Sequence, residues 1–322
     1  MEIIRYVAIF LILTTLGMLY DRYKKKYDPD DELSKYHLVQ KYLLNEDTIL
    51  TGKPILWVHT DHGVNARRWE DFGSRNTEKL NQKYIELCIE TIIKHCSQSF
   101  NVCLINDETF SKLIPSWNLD LDKLSNPVKS HMRSLGILKL LYYYGGMVIP
   151  NSLIVMKDLK PLYDNTINSK GCFVGEFVSR NLTSTHTRFF PSHKFMGTKK
   201  KCHKLDYLIK EYEKLLKDDT TTEMDINGSL DKLVYRMCKQ GKIHIISGRM
   251  LGTKNKCDEV IVVDDLLQSS YVSFDPEIVG VYLPKDEIIS RTKYKWFAYL
   301  SRSELFNCDT IAAKQLIISH GQ

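Results

Sequence analysis

Short apolar segments alternate with amphipathic helical segments between residues 54 and 149, and this alternation constrains the fold more than any other feature. Two of the apolar segments, residues 54–59 and 101–107, end in polar residues and predict buried strands. Apolar residues at helical spacing predict helices between and after them. Strand, helix, strand, helix, strand in this order predicts an α/β fold with a mostly parallel sheet and helices on both faces.

The third strand of this series begins after two glycines and is then interrupted. Residues 142–155 read YYYGGMVIPNSLIV. Glycine marks the end of the preceding helix, because it most easily adopts the left-handed conformation of a helix cap. The apolar run then meets Pro150, Asn151 and Ser152, so the strand stops at a proline and two small polar residues.

The remainder of the chain alternates more loosely, and no Pro/Gly/Ser-rich linker interrupts residues 54–322. We therefore predict one α/β domain over this range. The further predicted strands are 171–177, 242–247 and 259–263, and the further predicted helices are 201–217, 229–240 and 301–319.

An apolar segment at residues 3–20 contains a single charged residue, Arg5. A helix of roughly 18 residues is about 27 Å long, close to the hydrocarbon thickness of a bilayer. We predict a transmembrane anchor at residues 1–20 and a stalk or linker at 21–53. A signal peptide is the alternative, but no small-x-small cleavage site follows the segment.

The charges that flank this segment predict its orientation. Arg22, Lys24, Lys25 and Lys26 follow it, whereas only Arg5 and the amino terminus precede it. The positive-inside rule therefore predicts a single-pass membrane protein whose C-terminal domain faces the cytoplasm. The eight cysteines contain no C-x-x-C pair and fall partly at apolar positions, which predicts free buried thiols and no zinc site.

The composition is that of a folded protein, with 43% hydrophobic and 26% charged residues and a net charge of +6. The positive charge concentrates in two clusters, residues 24–26 and residues 199–204. Such clusters are usually solvated faces and less often contacts with phosphate, nucleic acid or anionic lipid. We expect no specific nucleic-acid partner.

Polar residues follow the first two predicted strands. Because parallel sheets place ligand pockets at the carboxyl ends of their strands, we expect His59, Asp61, Asn106 and Asp107 to line a cleft. His59, Asp61 and His62 lie on one loop without a third His or Cys cluster at a recognisable spacing. The spacing therefore favours a polar strand end over a metal site.

Arginines and acidic pairs supply further candidates. Arg67, Arg68 and Arg75 precede a predicted helix and are candidates for binding phosphate at its N-terminus, although arginines in a long loop more often pin it to the core. Asp264 and Asp265 form a possible metal-binding pair, for which a capped turn is the simpler interpretation.

The most specific segment is residues 138–152, LKLLYYYGGMVIPNS. It resembles the segment in which glycosyltransferases with a GT-A fold, of the capsular-polysaccharide-synthesis and mannosyltransferase type, carry a Leu-Leu-Tyr-x-Tyr-Gly-Gly core before an Asp-x-Asp pair. The resemblance covers about residues 54–205 and implies a GT-A-like sheet. The matching scaffold positions are Leu140, Leu141, Tyr142, Tyr144, Gly145 and Gly146.

All four reactive positions of this motif differ here. The resemblance implies an aspartate and an arginine where the chain has Ser134 and Ile137, and two metal-binding carboxylates where it has Pro150 and Ser152. Mn²⁺ or Mg²⁺ on a diphosphate needs anionic oxygen ligands, which these residues lack. Arg133 is adjacent to the aspartate position, but helical geometry turns it about 100° away.

Together with the two glycines, these residues complete the candidate cleft. Its members are His59, Asp61, Asn106, Asp107, Arg133, Gly145, Gly146, Pro150, Asn151 and Ser152.

We expect a membrane-anchored, glycosyltransferase-like protein that is catalytically degenerate, needs no cofactor and serves in binding or assembly with protein partners. The segment that begins Gly-Gly-Met and ends at Pro150 also resembles a segment of membrane-associated proteins of large DNA viruses. This resemblance implies a role in a virus particle. The first alternative is an active nucleotide-sugar transferase with Asp61, Asp107 or Glu176 as the base, the arginines or the lysine cluster on the diphosphate, and Mn or Mg as the cofactor. The second is a membrane-tethered protein that binds nucleic acid or anionic lipid through its basic clusters.

Overall fold

The computed structural model describes residues 52–60, 82–179, 187–217 and 223–321. These residues belong to one compact unit that spans Leu43–Gln322. The predicted anchor and nearly all of the predicted stalk lie outside the described residues, so both stay predictions. Within the four described ranges, no helix is long and apolar enough to cross a membrane.

The chain folds into a mixed α/β structure with a six-stranded, mostly parallel sheet. The strands lie in the order β2-β1-β3-β6-β5-β7. Strand β6 is antiparallel to both of its neighbours, and the other adjacent pairs are parallel. Strands β4 and β8 form a separate antiparallel pair. The strand bounds are β1 Ile55–His59, β2 Asn101–Ile105, β3 Gly146–Ile149, β4 Leu153–Val155, β5 Cys172–Val178, β6 Phe189–Thr198, β7 His244–Ile246 and β8 Gly280–Tyr282.

Helices connect these strands in the described part of the chain. Their bounds are α1 Lys83–Cys96, α2 Thr109–Leu113, α3 Val128–Tyr144, α4 Lys160–Lys170, α5 His203–Lys217, α6 Glu223–Lys239, α7 Val263–Leu266, α8 Lys285–Ser290, α9 Lys295–Ala298, α10 Arg302–Asn307 and α11 Ile311–His320. A short 3-10 helix spans Leu121–Lys123.

Both faces of the sheet are covered by helices, as predicted. On one face, Trp57, Val148 and Val174 pack in a cluster with apolar residues of α3, α5 and α6. Strand residues alternate between the two faces. On the other face, Phe173 lies against Tyr163 of α4, with ring centroids 6.3 Å apart. Two separate apolar layers therefore enclose the sheet.

Most predicted elements are confirmed, and two are wrong. Residues 259–263 do not form a strand, because Val260 makes only one isolated bridge with Lys254 and the chain then turns into α7. The predicted terminal helix 301–319 is two helices, α10 and α11. Thr310 begins the second of them, since its hydroxyl accepts a hydrogen bond from the Ala313 N–H at 3.2 Å.

The cysteines are free thiols, as predicted. All eight lie in described ranges and none forms a disulfide. Cys88, Cys96, Cys103 and Cys172 are buried, and burial raises the pKa of Cys96 to about 12. These four thiols are therefore protonated, unreactive core side chains at neutral pH.

Candidate functional site

The carboxyl ends of β2, β1 and β3 meet at one edge of the sheet, which we call the carboxyl edge. In the strand register, His59 lies beside Ile105, and Val58 lies beside Ile149. The residues that follow these strands, including Asp107 and Asn151, therefore lie at the same edge. The structure thus places the described cleft candidates that follow these strands at one edge of the sheet.

Asp107 forms the centre of an ion cluster at this edge. Its carboxylate accepts two hydrogen bonds from the Arg133 guanidinium, at 2.7 and 2.6 Å, and one from His59 Nε2 at 3.0 Å. Lys129 Nζ lies 3.3 Å from the same carboxylate. The Asp107 side chain is only 13% exposed. Arg133, which helical geometry turns away from the motif's aspartate position, is thus turned towards Asp107.

The protonation states of this cluster follow from burial and pairing. Partial burial favours a raised pKa for Asp107, but the hydrogen bonds from His59 and Arg133 outweigh it and hold the pKa well below its usual range. Burial lowers the pKa of His59 and outweighs the opposing effect of Asp107. His59 is therefore neutral at pH 7, and its Nε2–H donates to the carboxylate. The ring of His59 is stacked on Phe110, with centroids 5.8 Å apart.

Asn106 has a local structural role. Its side-chain oxygen accepts hydrogen bonds from the Thr109 N–H at 3.1 Å and the Thr109 hydroxyl at 2.7 Å. These bonds hold the first turn of α2. Asn106, a predicted cleft residue, therefore uses its side-chain oxygen to hold the segment between β2 and α2.

The turn after β3 uses its oxygens for folding. The Ser152 hydroxyl donates to the Leu283 carbonyl at 2.6 Å, and the Leu283 N–H donates to the Ser152 carbonyl at 2.9 Å. The Pro150 carbonyl accepts the Leu153 N–H at 3.2 Å. Ser152 is fully buried. The two positions at which the resemblance implies metal ligands thus present a bound hydroxyl and a bound carbonyl, which do not fit a divalent cation.

Asn151, between these two residues, is buried without internal partners. Its side chain is 3% exposed, and neither its amide oxygen nor its amide nitrogen has a hydrogen-bond partner among the residues that the structure describes. A buried amide without partners costs free energy, so such groups usually meet a ligand or water. Asn151 therefore supplies uncharged hydrogen-bonding groups at the carboxyl edge.

A second buried polar group comes from β6, which the sequence analysis did not single out. The Ser134 hydroxyl donates to the Ser130 carbonyl at 3.1 Å and contacts His193 Nε2 at 3.1 Å. Because the serine proton is used, His193 Nε2–H donates to Ser134. His193 Nδ1 is buried with no hydrogen-bond partner in the described ranges, and burial lowers the pKa of His193 to about 4. In the sequence, the one indication for His193 is that it lies after residue 188 within the range that the resemblance covers.

Gly145 and Gly146 lie at the opposite end of β3 and do not line the carboxyl edge. Gly146 has φ +92°, and a Cβ there would lie 2.2 Å from the Ile55 carbonyl oxygen. Gly145 has φ +74°, and a Cβ there would lie 2.7 Å from the Lys200 nitrogen. Both glycines are therefore scaffold residues that let β3 approach β1 and the end of β6.

The other candidate acids also have structural partners. Glu176 accepts a hydrogen bond from the Gly248 N–H at 3.0 Å and pairs with Lys254 at 2.7 Å. Asp265 caps α7 by accepting the Val262 N–H at 2.9 Å. Asp264 pairs with Lys293 and with the Tyr294 hydroxyl.

A groove of about 540 Å³ opens beside the ion cluster. Asp107, Glu108, Asp120 and Asp122 contribute carboxylates to its lining, and Lys112 contributes one cation. Within the described ranges, no group of three or more His, Cys, Asp or Glu side chains is placed to hold a metal ion. The candidates Asp61, Arg67, Arg68 and Arg75 lie outside the described residues.

Comparisons with known proteins identify similar solved structures, among them three glycosyltransferases. The glycosyltransferase GlyE of Streptococcus pneumoniae TIGR4 has 13% identity and a TM-score of 0.38 over 83% of this chain, which spans 60% of that structure. The PaToxG glycosyltransferase has 16% identity and a TM-score of 0.32, and the match covers 64% of this chain and 78% of the PaToxG chain.

The galactosyltransferase LgtC, solved in complex with donor and acceptor sugar analogs, has 10% identity and a TM-score of 0.39. The match covers 83% of this chain and 95% of LgtC. Because all three TM-scores are this low, the similarities establish neither the fold nor the activity of this chain. No protein-family model and no curated protein sequence matches this chain.

Proposed function

We propose that this chain is a membrane-anchored protein with a glycosyltransferase-like domain that has lost metal-dependent sugar transfer and serves in binding. One observation carries the proposal. At the turn after β3, where the motif's carboxylates hold the metal, Ser152 is buried and its hydroxyl is bound to the Leu283 carbonyl. A divalent ion there finds no anionic oxygen, so it cannot neutralise a diphosphate leaving group.

The scaffold of the motif supports the same proposal. The resemblance implies a mostly parallel sheet with helices on both faces, and the described chain has one. It also implies two glycines between helix and strand, and Gly146 lies where a side chain would collide with β1. The frame of the motif is thus kept while its reactive groups are replaced.

The polar groups that remain at the carboxyl edge are uncharged or already paired. Asn151 and His193 have buried atoms without partners in the described structure, and Asp107 is neutralised by Arg133 and Lys129. Such groups suit an uncharged hydroxyl-bearing ligand better than a polyanion. In this proposal residues 3–20 hold the domain on the cytoplasmic side of a membrane, and the carboxyl edge binds a sugar-like group or an assembly partner.

The second candidate is a metal-independent glycosyltransferase, and one observation favours it. The neutral His59 is hydrogen-bonded to Asp107 in a partly exposed position, which is the arrangement of a general base oriented by a carboxylate. In that case His59 Nδ1 accepts the proton of an acceptor hydroxyl. The arginines at 67, 68 and 75 are then the candidates for the diphosphate.

Nucleotide-sugar binding and hydrolysis separate the two candidates. The full chain, purified in detergent, is incubated with UDP- and GDP-sugars with and without Mn²⁺, and its Tm and nucleotide release are measured. We expect no Mn²⁺-dependent rise in Tm, although a ligand at about 100 times its Kd would raise stability by about 2.7 kcal/mol. We also expect no nucleotide release.

Two other results have defined meanings. Mn²⁺-dependent release contradicts the loss of metal-dependent transfer. Metal-independent release that disappears in His59→Gln, while the exposed and distant Lys256→Gln keeps it, supports the second candidate instead.

A further inference from the structure

A row of lysines occupies the edge of the sheet opposite to the carboxyl edge, which we call the amino edge. The sheet order brings the start of β1, the end of the antiparallel β6, the start of β5 and the start of β7 to this edge. Strands about 4.8 Å apart place β1 and β7 roughly 20 Å from each other. The lysines at these positions are Lys53, Lys170, Lys199, Lys200, Lys201 and Lys242.

Backbone contacts fix these residues next to one another. The Lys199 N–H donates to the Gly171 carbonyl at 3.3 Å, and the Lys201 N–H donates to the Tyr142 carbonyl at 2.7 Å. Lys204 Nζ donates to the Lys170 carbonyl at 2.9 Å. The segment 199–201 therefore crosses the ends of α3 and α4. Lys201 holds φ +54°, so the turn presents consecutive lysines outwards.

These six lysines are exposed, and none forms an ion pair with another described residue. Lysines elsewhere are commonly paired, as Lys139 is with Glu213 at 2.7 Å. Asp206 is already paired with Lys210 at 2.7 Å, whereas Asp158, which accepts the Ser99 hydroxyl at 2.6 Å, keeps its negative charge. Six exposed lysines exceed this charge, so the edge is positive.

Two observations favour a lipid surface as the partner. The described chain enters β1 through Lys53 at this edge, downstream of the apolar segment 3–20 and the lysines at 24–26. In addition, Tyr207 lies beside the lysines, 42% exposed, with Lys242 Nζ 5.5 Å from its ring centroid. Tyrosine next to lysine is typical of surfaces at the level of lipid headgroups.

Resting on the membrane anchor of the proposed function, we propose that the amino edge docks on anionic lipid headgroups of the membrane that anchors the chain. Each exposed lysine near such a surface contributes about 1 kcal/mol, or about five-fold in the docking equilibrium. The docked domain then turns its carboxyl edge, with His59 and Asn151, away from the bilayer. A ligand of the carboxyl edge is therefore drawn from the aqueous side.

Hydrogen exchange of the full chain in nanodiscs tests this inference. We expect backbone amides of residues 198–204 to be protected in nanodiscs with about one third phosphatidylserine, and not in pure phosphatidylcholine. Raising the salt to about 0.5 M should remove the protection, because screening shortens the Debye length. The triple variant Lys199→Glu, Lys200→Glu, Lys201→Glu should reduce docking by more than about 100-fold, because it removes three positive charges and adds three negative ones.

A matched variant controls for total charge. Lys217→Glu, Lys232→Glu, Lys256→Glu reverses three exposed lysines away from the amino edge, and it should dock like the parent chain. An unchanged Tm in both variants shows that they are folded, and the salt series on the parent chain needs no variant.

Two results overturn the inference. The first is equal protection of residues 198–204 in both lipids. The second is salt-sensitive binding of a labelled oligonucleotide, lost in the 199–201 variant, without any phosphatidylserine-dependent protection, which assigns the edge to nucleic acid.

Discussion

At the residue scale, the charge of the candidate site depends on Asp107. Its carboxylate is held by Arg133, His59 and Lys129 while almost nine tenths of its side chain is removed from solvent. Without that carboxylate, Arg133 loses a bidentate ion pair in a partly buried place, and Lys129 keeps its pair with the exposed Asp122 at 3.0 Å. Asp107 is therefore needed for the stability of this edge, whether or not it also takes part in chemistry.

We expect Asp107→Asn to lower the free energy of unfolding by roughly 3 kcal/mol at pH 7. Because the pKa of Asp107 is lower in the folded protein than in the unfolded chain, its stabilisation is complete above about pH 4 and is lost as the pH falls further. Thermal unfolding of both proteins between pH 7 and pH 3 measures this. The difference should shrink in acid.

Asp120→Asn is the matched control, since Asp120 pairs with Lys123 on an exposed surface. It should leave the Tm unchanged at every pH. A constant Tm difference between Asp107→Asn and the parent protein across the pH range would contradict the proposed ion pairing.

A second residue-scale prediction concerns the two kinds of glycine with positive φ. Gly146→Ala should cost roughly 4 kcal/mol or more, because its Cβ meets the Ile55 carbonyl. Gly171→Ala has φ +75° but no atom within 4 Å of its Cβ, so it should cost only about 1–2 kcal/mol. Chemical denaturation of both variants gives the comparison. Equal costs would show that the close approach of β3 to β1 is not what selects Gly146.

At the element scale, the turn between β3 and β4 decides what the motif can still do. This turn is tied to the residue that follows β8 by two hydrogen bonds, both between Ser152 and Leu283. An interrupted apolar strand in the sequence is thus two strands in different sheets. Pro150, Asn151 and Ser152 form the crossing point between those sheets.

Restoring an acid at this crossing point should fail to restore a metal site. We expect Ser152→Asp to lose roughly 3–5 kcal/mol, because it buries an unpaired carboxylate against the Leu283 carbonyl. Ser152→Ala, which only removes one hydrogen bond, should lose about 1–3 kcal/mol. Urea unfolding gives the stabilities, and calorimetry with Mn²⁺ gives the binding. A folded Ser152→Asp protein that binds Mn²⁺ would show that the turn can still act as a metal site.

Local sequence patterns predict an element correctly where the pattern fits only one kind of secondary structure. Strands β1 and β2 are predictable because each is a short apolar run that ends in polar residues, and α3 is predictable because glycine marks its end. Residues 259–263 have buried Ile261 and Val263 at alternating positions, as a strand would, yet pair with no strand among the described residues. The break before α11 was missed because Thr310 acts through a cap and not through hydrophobicity.

At the scale of the whole molecule, the sheet separates two surfaces of different character. The carboxyl edge holds a compensated ion cluster with buried neutral groups, and the amino edge holds exposed lysines without ion-pair partners in the described chain. The antiparallel β6 creates this polarity, because its reversal carries Lys199, Lys200 and Lys201 to the end at which β1 and β5 begin. A parallel β6 would place them at the carboxyl edge.

The sequence by itself determined the order of the elements, the glycine-rich entry to β3 and the absence of carboxylates at residues 150 and 152. These features depend on residue type and on neighbours a few positions away. Only the tertiary structure decided that Asp107 meets Arg133, that Asn151 and the Nδ1 atom of His193 are buried, and that Lys53 lies at the same edge as Lys200. The physical reason is that these contacts and positions involve residues far apart in the chain, more than a hundred positions apart for Lys53 and Lys200. Strand pairings bring them together, and local periodicity does not encode those pairings.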